Sequence, residues 1–418
     1  MIFQAPRGTY DRMPDQQRLW QRINKVLEEI SDSYGYDRID TPVIEDAKLF
    51  SRGVGDVTDI MEKETYTFPD RGGDLLTLRP EGTAPVCRAY IEHGMHNLPQ
   101  PVRLYYVCPV FRYERPQSGR YRQHHQFGVE VLGSAEPEVD VEVIELAWNI
   151  LKKLDISDIK LKINTMGDTD SRRLYISKLQ DYLNSKIDQI PESIKPRVSA
   201  NPLRVLDSKD PKMFEINNSA PKCLDYINAA SSEHWTTLLK NLDALSIPYE
   251  VDHKLVRGFD YYTRTVFEIV PSVEKTQNTL IGGGRYDGLI EILGGKSTPG
   301  IGFAMGLERV ASALDHTLSE LESNNSIKLL VAHMGDPAKE RAVLLSSRIR
   351  TAGLPAVLAP TRGIKSQLRY ATSISATHAI IVGEEELQNR EVVLRTFATH
   401  SQETISEANL INFLSSIS

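Results

Sequence analysis

The chain has 418 residues, a formal net charge of −7, 40% hydrophobic residues and 25% charged residues, as expected for two or three globular domains. No apolar run approaches the roughly 18 residues of a membrane helix, and the start MIFQAPRGTYDRMPDQQ lacks the basic and then apolar order expected of a signal peptide. Three cysteines (Cys87, Cys108 and Cys223) with no C-x-x-C pair argue against a disulfide framework and a structural zinc site, and they predict a reducing cytosol.

The first hundred residues predict a helix, a broken strand and a strand that turns into a helix. Apolar residues recur at helical spacing from 15 to 33. The stretch YDRIDTPVIED is interrupted by Pro42, so we expect it at a sheet edge or in an interface. The stretch DLLTLRPEGT is predicted to be a strand that leads into a helix near residues 83–93.

The middle of the chain predicts a long hairpin and a helical insertion. Residues 102–111 and 126–133 are rich in β-forming residues, so they are expected to pair as antiparallel strands with a wide loop between them. A helix is predicted at about 138–154. Residues 171–245 are mostly helical in pattern, are broken at NPLRVLDSKD, and are interpreted as an insertion.

The last part of the chain predicts a second domain. After the insertion come three β-type segments, which are KLVRGFDYYTRTVFEIV, NTLIGGGRYDGLIEILGG and GIGFAMGLERV. The polar stretch 316–326 is typical of a linker. The following residues alternate strand and helix, which predicts a small α/β domain with a largely parallel sheet. We therefore expect two domains, residues 1–325 and residues 326–418.

The segment FRYERPQSGRYRQHHQF is the first candidate site. Arginine presents a planar, always charged fork that binds phosphates or carboxylates with two parallel hydrogen bonds. Arg112 ends a strand and Glu114 shares its face, so the pair could hold a nucleotide phosphate with its metal ion, or the adenine edge. An exposed, ion-paired strand fits equally well. The loop has no acid to pair with its further arginines, which favours a polyanion such as nucleic acid; these are Arg115, Arg120 and Arg122.

Two glycine-rich segments are further candidates. In GGGRYDGL the glycines allow close backbone approach, and a helix after them would point its N-terminus at a ligand. This pattern is weak evidence alone, because glycine-rich turns are common. In GIGFAMGLERV, Arg309 follows a tightly packed stretch, which favours a ligand role over a solvated face.

Polar groups beside glycines at predicted strand ends indicate a small zwitterionic ligand. An acid would take its amino group, an arginine its carboxylate, and tyrosines would form the wall around its side chain. A buried structural ion pair is the alternative, with Asp260 as the partner of Arg257. The polar set is Glu81, Thr83, Arg257, Asp260, Tyr261 and Tyr262.

His93 and His96 have the i,i+3 spacing of a metal-binding pair on a helix. No third ligand lies nearby in the sequence, so surface histidines are the better interpretation. We therefore predict no protein metal site.

In chain order, the proline-broken strand, the Arg112 hairpin and the glycine-rich strand before Arg309 resemble the three signature motifs of class II aminoacyl-tRNA synthetases. The segments LVRGFDYYTRTVFEI and GGGRYDGL resemble the two signatures of histidyl-tRNA synthetases, and the hairpin is similar to their motif 2. The resemblance runs from residues 6–11 through the C-terminal domain. It implies an α+β fold: a class II antiparallel sheet flanked by helices, with a helical insertion and a C-terminal α/β anticodon-binding domain.

The resemblance implies activation of L-histidine by ATP to histidyl-adenylate and pyrophosphate, followed by transfer of histidyl to the 3′ end of histidine tRNA. Mg would balance the β and γ phosphates. The implied catalytic residues are Arg112, on the α-phosphate, and Arg257, between that phosphate and the histidine carboxylate. The other implied ATP contacts are Glu114, His124 and Arg309. The implied histidine-binding set is Glu81, Gly82, Thr83, Gln126, Glu130, Arg257, Tyr261, Tyr262 and Tyr286, with Glu130 and Tyr262 on the imidazole.

The resemblance also implies partners. The loop residues Gln117, Arg120 and Arg122 would meet the tRNA acceptor end, where the family reads an extra 5′ guanosine. The family resemblance implies a cytoplasmic homodimer, with Pro42 and the helix before it at the interface. His124 departs from the pattern, because many family members have a phenylalanine there that stacks on adenine, and an imidazole buries less apolar area.

Two other functions fit parts of the same pattern. The synthetase-like regulatory subunit of ATP phosphoribosyltransferase resembles the catalytic domain, but it typically lacks the anticodon-binding domain and parts of the active-site set. This sequence has Arg112, Arg257 and Arg309. A synthetase-like sensor of uncharged tRNA would be part of a larger regulator, and no further regulatory module is recognised in the sequence.

Overall fold

The computed structural model describes residues 3–54, 64–114, 120–257, 261–273, 279–314, 328–360 and 362–417. The chain forms two compact units, Met1–Leu318 and Ser319–Ser418. The domain boundary that the sequence predicts at 325/326 lies within 315–327, outside the described residues, and it stays a prediction. Across the described ranges, none of the helices has the length and apolar character to cross a membrane.

The strands of the first unit form two sheets. In the described residues they are β1 (Asp37–Arg38), β2 (Ile44–Asp46), β3 (Tyr66–Pro69), β4 (Leu75–Leu78), β5 (Val102–Phe111), β6 (Gln123–Leu132), β7 (Ile159–Thr165), β8 (Tyr249–Val251), β9 (Thr263–Pro271), β10 (Ile281–Arg285) and β11 (Gly300–Gly306). The large sheet has the order β1-β5-β6-β11-β10-β9-β7-β8, and the small one β2-β4-β3. Only the outer pairs of the large sheet, β1–β5 and β7–β8, are parallel. The predicted antiparallel sheet is therefore confirmed.

The helices of this unit flank the large sheet. In the described residues they are α1 (Pro14–Ser33), α2 (Ala47–Val54), α3 (Thr83–Glu92), α4 (Pro137–Lys153), α5 (Thr169–Ser185), α6 (Lys195–Ala200), α7 (Leu203–Leu206), α8 (Phe214–Asn218), α9 (Ala229–Ala244), α10 (Leu289–Ile292) and α11 (Leu307–Leu314). Helix α1 begins with a proline, as first turns tolerate, and buries Leu19, Ile23 and Leu27. Each such buried aliphatic side chain stabilises the fold by about 1.5–3 kcal/mol. Helix α4 packs against α1, α9 and β11.

A helical insertion is present, since α5 to α9 lie between β7 and β8, and its predicted bounds of about 171–245 stay a prediction. Its apolar residues share one core with the large sheet. That core includes Leu179 and Val205 of the insertion together with Tyr106, Tyr262 and Tyr286. The insertion is therefore packed against the same core that holds these tyrosines.

The second unit has its own sheet and core. In the described residues its strands are β12 (Leu329–His333), β13 (Ala356–Leu358), β14 (His378–Val382), β15 (Glu391–Thr396) and β16 (Gln402–Ser406). Its helices are α12 (Asp336–Thr351), α13 (Ile364–Ser373), α14 (Glu384–Asn389) and α15 (Leu410–Ser416). The prediction of a largely parallel sheet is only half right. Strands β13, β12 and β14 are parallel, whereas β15 and β16 add as antiparallel strands.

Candidate functional site

A cavity of about 330 Å³ lies in the first unit and brings together most residues of the predicted site. Strands β6, β10 and β11, the turn before α3 and the start of α11 all contribute to its wall. The predicted residues that line it are Glu81, Thr83, Arg112, Glu114, Arg120, His124, Gln126, Arg257, Tyr261, Tyr262, Tyr286 and Arg309. Segments that are far apart in sequence therefore converge on one cavity.

Three predicted residues do not line the cavity, and a fourth lies outside the described residues. Gln117 lies outside the described residues. Arg122 stacks on Tyr113, with its guanidinium carbon 3.8 Å from the ring centroid. Gly82 precedes α3, where a Cβ would lie 2.3 Å from the Tyr106 ring, so a larger residue would collide there. Glu130 is completely buried and supports the cavity wall without lining it.

One end of the cavity concentrates positive charge. The Arg112 Nε donates to the Pro80 carbonyl at 2.8 Å, and an Arg309 nitrogen donates to the Thr279 carbonyl at 2.9 Å. Burial, reinforced by the charge of Arg120, lowers the pKa of Arg309. Burial and the charges of Arg112 and Arg309 lower the pKa of His124 to about 3. His124 is therefore neutral near pH 7, and this end of the cavity suits a polyanion.

The expectation that the arginine loop has no acid to pair with is wrong for Arg120. Its guanidinium lies 3.0 Å from a carboxylate oxygen of Glu114, whose other oxygen lies 3.9 Å from Arg112. Glu114 and Arg120 stand on either side of residues 115–119 in the chain, and their side chains meet as an ion pair. Arg120 consequently belongs to the cavity wall as well as to the loop.

A second group of polar side chains is fixed at the N-terminus of α3. Glu81 accepts hydrogen bonds from the backbone N–H groups of Thr83 at 2.6 Å and Ala84 at 2.8 Å. A carboxylate is favoured there by the helix dipole, while burial raises its pKa. The side-chain oxygen of Gln126 is buried with no hydrogen-bond partner among the described residues. Such an unsatisfied acceptor beside a carboxylate fits an ammonium group.

Glu130 organises the wall behind this group. Its carboxylate accepts hydrogen bonds from the Thr83 hydroxyl at 2.8 Å, the Tyr106 hydroxyl at 3.2 Å and the Tyr286 hydroxyl. Burial raises the pKa of Glu130 to about 8, although these hydrogen bonds oppose the shift. A Cβ on Gly302 would lie 2.0 Å from this carboxylate, so a glycine keeps the space in which it sits.

Tyrosines and Arg257 form the remaining wall. The ring centroid of Tyr261 lies 4.7 Å from that of Tyr262 and 5.8 Å from that of Tyr286. The sequence predicts a strand at Arg257. The residue lies instead in an irregular stretch at the end of the described range 120–257. Its expected structural partner, Asp260, lies outside the described residues. Instead its guanidinium contacts Glu268 at 2.5 Å, because β9 runs back along the same side of the cavity.

The GGGRYDGL segment differs from its prediction in the helix that follows it. The helix after it, α10, has only four residues, so it offers no extended N-terminal site. Its arginine, Arg285, is completely buried in an ion pair with Asp140 of α4 and does not line the cavity. The glycines serve close packing, since a Cβ on Gly282 would lie 2.4 Å from the Arg257 guanidinium.

Sequence reasoning missed several residues of the cavity. Arg204 and Asp207 of the insertion reach it from NPLRVLDSKD, a segment interpreted only as a break between helices. Tyr121, Glu268 and Glu308 also line it. Arg204 and Asp207 could have been found from the sequence, because they are charged residues beside an otherwise apolar helical turn. For the other three no local pattern distinguishes a cavity residue from a surface one.

Protein side chains alone do not form a metal centre in the described ranges. No group of three or more His, Cys, Asp or Glu side chains there has a metal-binding arrangement. His93 and His96 are both exposed.

Two family models match the chain. Residues 8–310 match the family described as histidyl-tRNA synthetase, and residues 328–417 match the anticodon binding domain. A histidine–tRNA ligase of Dehalococcoides mccartyi is 46% identical over 411 residues, which cover 98% of each chain. The apo histidyl-tRNA synthetase of S. aureus has a TM-score of 0.83 and 37% identity, covering 99% of this chain and 100% of that one.

A protein of Bacillus halodurans described as an ATP phosphoribosyltransferase regulatory subunit/histidyl-tRNA synthetase has a TM-score of 0.65. At 22% identity, covering 92% of this chain and 99% of that one, it indicates a shared fold alone. The first family model covers well over half of the chain, and the Dehalococcoides relative is similar over nearly its full length. The chain therefore belongs to the histidyl-tRNA synthetase family.

Proposed function

We propose that this chain is a histidine–tRNA ligase, which activates L-histidine with ATP and transfers the histidyl group to histidine tRNA. The observation that carries the proposal is one cavity with arginines at one end and Glu81, Gln126 and tyrosines at the other. Adenylate formation requires this layout, because a nucleotide polyphosphate and a zwitterionic amino acid must meet in one place. The complete arginine set and the anticodon-binding unit favour an enzyme over the regulatory subunit of ATP phosphoribosyltransferase.

Histidine would be bound by polar side chains whose positions are fixed by hydrogen bonds behind the cavity wall. Glu81 and Gln126 would take the ammonium group, and Thr83 would lie beside it. Tyr262 would receive the imidazole from the cavity wall, with Tyr261 and Tyr286 around the ring and Gly82 leaving space at the helix start. Glu130 would reach the second ring nitrogen once a tyrosine hydroxyl that covers its carboxylate turns aside. A pocket built to hydrogen-bond both ring nitrogens rejects other amino acids, because they would leave its buried polar groups unpaired.

The ATP end would be held by fixed positive charge. Arg112 would bind the α-phosphate, Arg309 the γ-phosphate end, and Glu114 and His124 the adenine. A histidine carboxylate oxygen would attack the α-phosphorus, and the bond from that phosphorus to the β-bridging oxygen would break, releasing pyrophosphate. Arg112 and Arg257 would stabilise the charge on the phosphate during this step.

Magnesium would enter with ATP and neutralise the β and γ phosphates. In nucleotide sites Mg²⁺ is commonly bound by phosphates, water and one or two carboxylates, with no all-protein cage. Glu268 lines the cavity and would supply such a ligand. The donor set therefore fits a metal that arrives with its nucleotide.

The second step would use tRNA. A hydroxyl of the 3′-terminal ribose would attack the histidyl carbonyl carbon, the bond from that carbon to the phosphate oxygen would break, and AMP and a proton would be released. The second unit would bind the anticodon, and we place the boundary between the two domains at 325/326. The three buried, free cysteines are consistent with action in the cytoplasm.

We also propose a homodimer, with Pro42 and α1 near the interface. The small sheet leaves apolar side chains on one face, where Ile44 and Phe68 are 46% and 38% exposed. Exposed apolar patches mark interaction surfaces, and a second copy is the commonest partner of such a face. A single 47.1 kDa species in sedimentation equilibrium would contradict this proposal.

Substitutions in the arginine loop should affect adenylate formation and tRNA charging differently. Gln117→Ala is expected to slow tRNA charging about tenfold, the loss of roughly one hydrogen bond to RNA, and to leave pyrophosphate exchange unchanged. Arg120→Ala is expected to slow both, because its guanidinium also holds Glu114. Parallel charging and exchange assays distinguish these outcomes. Equal losses in both assays for Gln117→Ala would assign that residue to ATP instead of tRNA.

His124→Phe is expected to tighten ATP binding by about threefold. A phenyl ring buries more apolar area against adenine than a neutral imidazole does. Equilibrium dialysis with ATP measures the change, and the affinity for histidine serves as the internal control. Weaker ATP binding would mean that the buried Nδ1 of His124, which has no hydrogen-bond partner among the described residues, is used by ATP.

A further inference from the structure

The N-terminal segment Gly8–Arg12 contacts the hairpin and α11, and the cavity does not include it. Its first two residues belong to a turn, in which the Thr9 backbone N–H donates to the Pro6 carbonyl at 3.0 Å. The segment contributes no buried side chain to the core, since every residue from 3 to 12 is exposed or half-buried. Its contacts therefore position the residues that it touches and add little to the hydrophobic core.

The backbone of this segment is connected to Arg112 through two hydrogen bonds. The Gly8 carbonyl accepts from the backbone N–H of Arg122 at 2.7 Å, and the Arg122 carbonyl accepts from the backbone N–H of Arg112 at 2.9 Å. Gly8 has φ +86°, and a Cβ on it would lie 2.7 Å from the Arg122 Cγ. A glycine is therefore required for the segment to lie this close to the hairpin.

The side chains of the same segment reach the start of α11. The Tyr10 ring lies 4.9 Å from that of Tyr121, which lines the cavity. Its hydroxyl donates to Glu308 at 3.3 Å. Glu308 immediately precedes Arg309, so the same segment also contacts the residue next to Arg309.

His125 completes the connection. Its backbone N–H donates to the Glu308 carboxylate at 2.9 Å, and its Nδ1 lies 3.0 Å from the same carboxylate. One Arg12 nitrogen lies 2.8 Å from Nε2 and 2.9 Å from Nδ1. With the proton on Nδ1, Nε2 is the ring nitrogen that accepts from Arg12. The Arg12 guanidinium also stacks 3.7 Å over Trp20 of α1. The hairpin and α11 are thus joined to each other and to α1 through this segment.

We infer that Gly8, Tyr10 and Arg12 are positioning residues for ATP, which hold the backbone of Arg112 and the helix start that carries Arg309 in place. The inference rests on the proposed function, since it assigns these arginines to the nucleotide. Displacement of a binding group by about 1 Å can cost as much as 100-fold in rate. In the described residues, the hydrogen bonds and ring contacts of this segment do not involve Glu81, Gln126 or Tyr262, which would bind histidine, so histidine affinity should not depend on the segment.

The experiment compares two glycine variants of the full-length protein. Gly8→Ala introduces a side chain at a positive φ and against Arg122, whereas Gly294→Ala introduces the same strain at φ +94° with no atom within 4 Å of the new Cβ. Equilibrium dialysis gives the dissociation constants for ATP and for histidine, and thermal unfolding gives stability. We expect Gly8→Ala to weaken ATP binding at least about tenfold with unchanged histidine affinity, and Gly294→Ala to change neither.

A second pair of variants does not depend on backbone strain. Tyr10→Ala removes the ring contact and the hydroxyl, and it should weaken ATP binding more than Tyr10→Phe, which keeps the ring on Tyr121. Wild-type ATP affinity in both Gly8→Ala and Tyr10→Ala, or an equal loss for ATP and histidine, would overturn the inference. A wild-type chain that binds ATP but activates no histidine would refute the proposed function while the ATP affinities still decide the inference. A wild-type chain that binds no ATP would refute both.

Discussion

Arg257→Lys is expected to slow histidyl-adenylate formation at least ~100-fold, about 2.7 kcal/mol of transition-state stabilisation. Binding of histidine and ATP should stay within a few-fold of wild type. Lysine keeps the positive charge, but it lacks the planar fork needed to contact a carboxylate and a phosphate together. A stopped-flow single-turnover measurement of adenylation, beside equilibrium binding of both substrates, gives the two quantities.

The alternative is that Arg257 only pairs with Glu268, 2.5 Å away. Arg103→Lys is a matched control, because Arg103 makes a partly exposed pair with Glu142 at 2.8 Å and does not line the cavity. If Arg257 is structural, both lysine variants should behave alike. Adenylation by the Arg257 variant at a near wild-type rate would leave Arg112 and magnesium as the source of the catalytic charge.

Glu130→Gln is expected to weaken histidine binding by about 1–3 kcal/mol, the value of a hydrogen bond to a charged group. The carboxylate already accepts from Thr83, Tyr106 and Tyr286, so the amide would also disturb the wall that these residues form. ATP binding should change little, because the arginines that would hold it lie at the other end. Normal histidine affinity in the variant would place the imidazole site elsewhere.

The raised pKa of Glu130 gives this prediction a pH signature. With a pKa of about 8, the carboxyl is mostly protonated at pH 7 before histidine binds. An imidazole N–H favours the ionised form, so binding should release a proton and histidine affinity should rise as pH increases toward 8. Calorimetry in two buffers of different ionisation enthalpy measures the release. Glu130→Gln should abolish this proton release, and a release that persists in the variant would assign it to another group.

The long regular elements were predictable because their burial is periodic. Helix α1, strand β5 and helix α4 were each predicted within one residue of their observed ends. The start of β6 was missed by three residues, since QHH has no apolar pattern. A parallel crossover needs a dozen or more residues, so the five residues between β15 and β16 already excluded parallel pairing of these two strands.

Contacts between distant residues could not be predicted in this way. Tyr10 meets Glu308 across 298 positions, and Arg285 pairs with Asp140 across 145. Neither contact leaves a local pattern in the sequence. The residues of the candidate site were found through motif resemblance, whereas their supporting partners appear only once the sheet brings β6, β10 and β11 together.

Histidine-dependent exchange of labelled pyrophosphate into ATP tests the central claim most directly, because it requires a bound histidine, a bound ATP and a reversible adenylate, with no RNA present. We expect exchange with L-histidine and magnesium, and no comparable exchange with the other standard amino acids. A folded chain that binds both histidine and ATP yet supports no exchange would contradict the assignment as a ligase and favour a non-catalytic, synthetase-like regulatory protein.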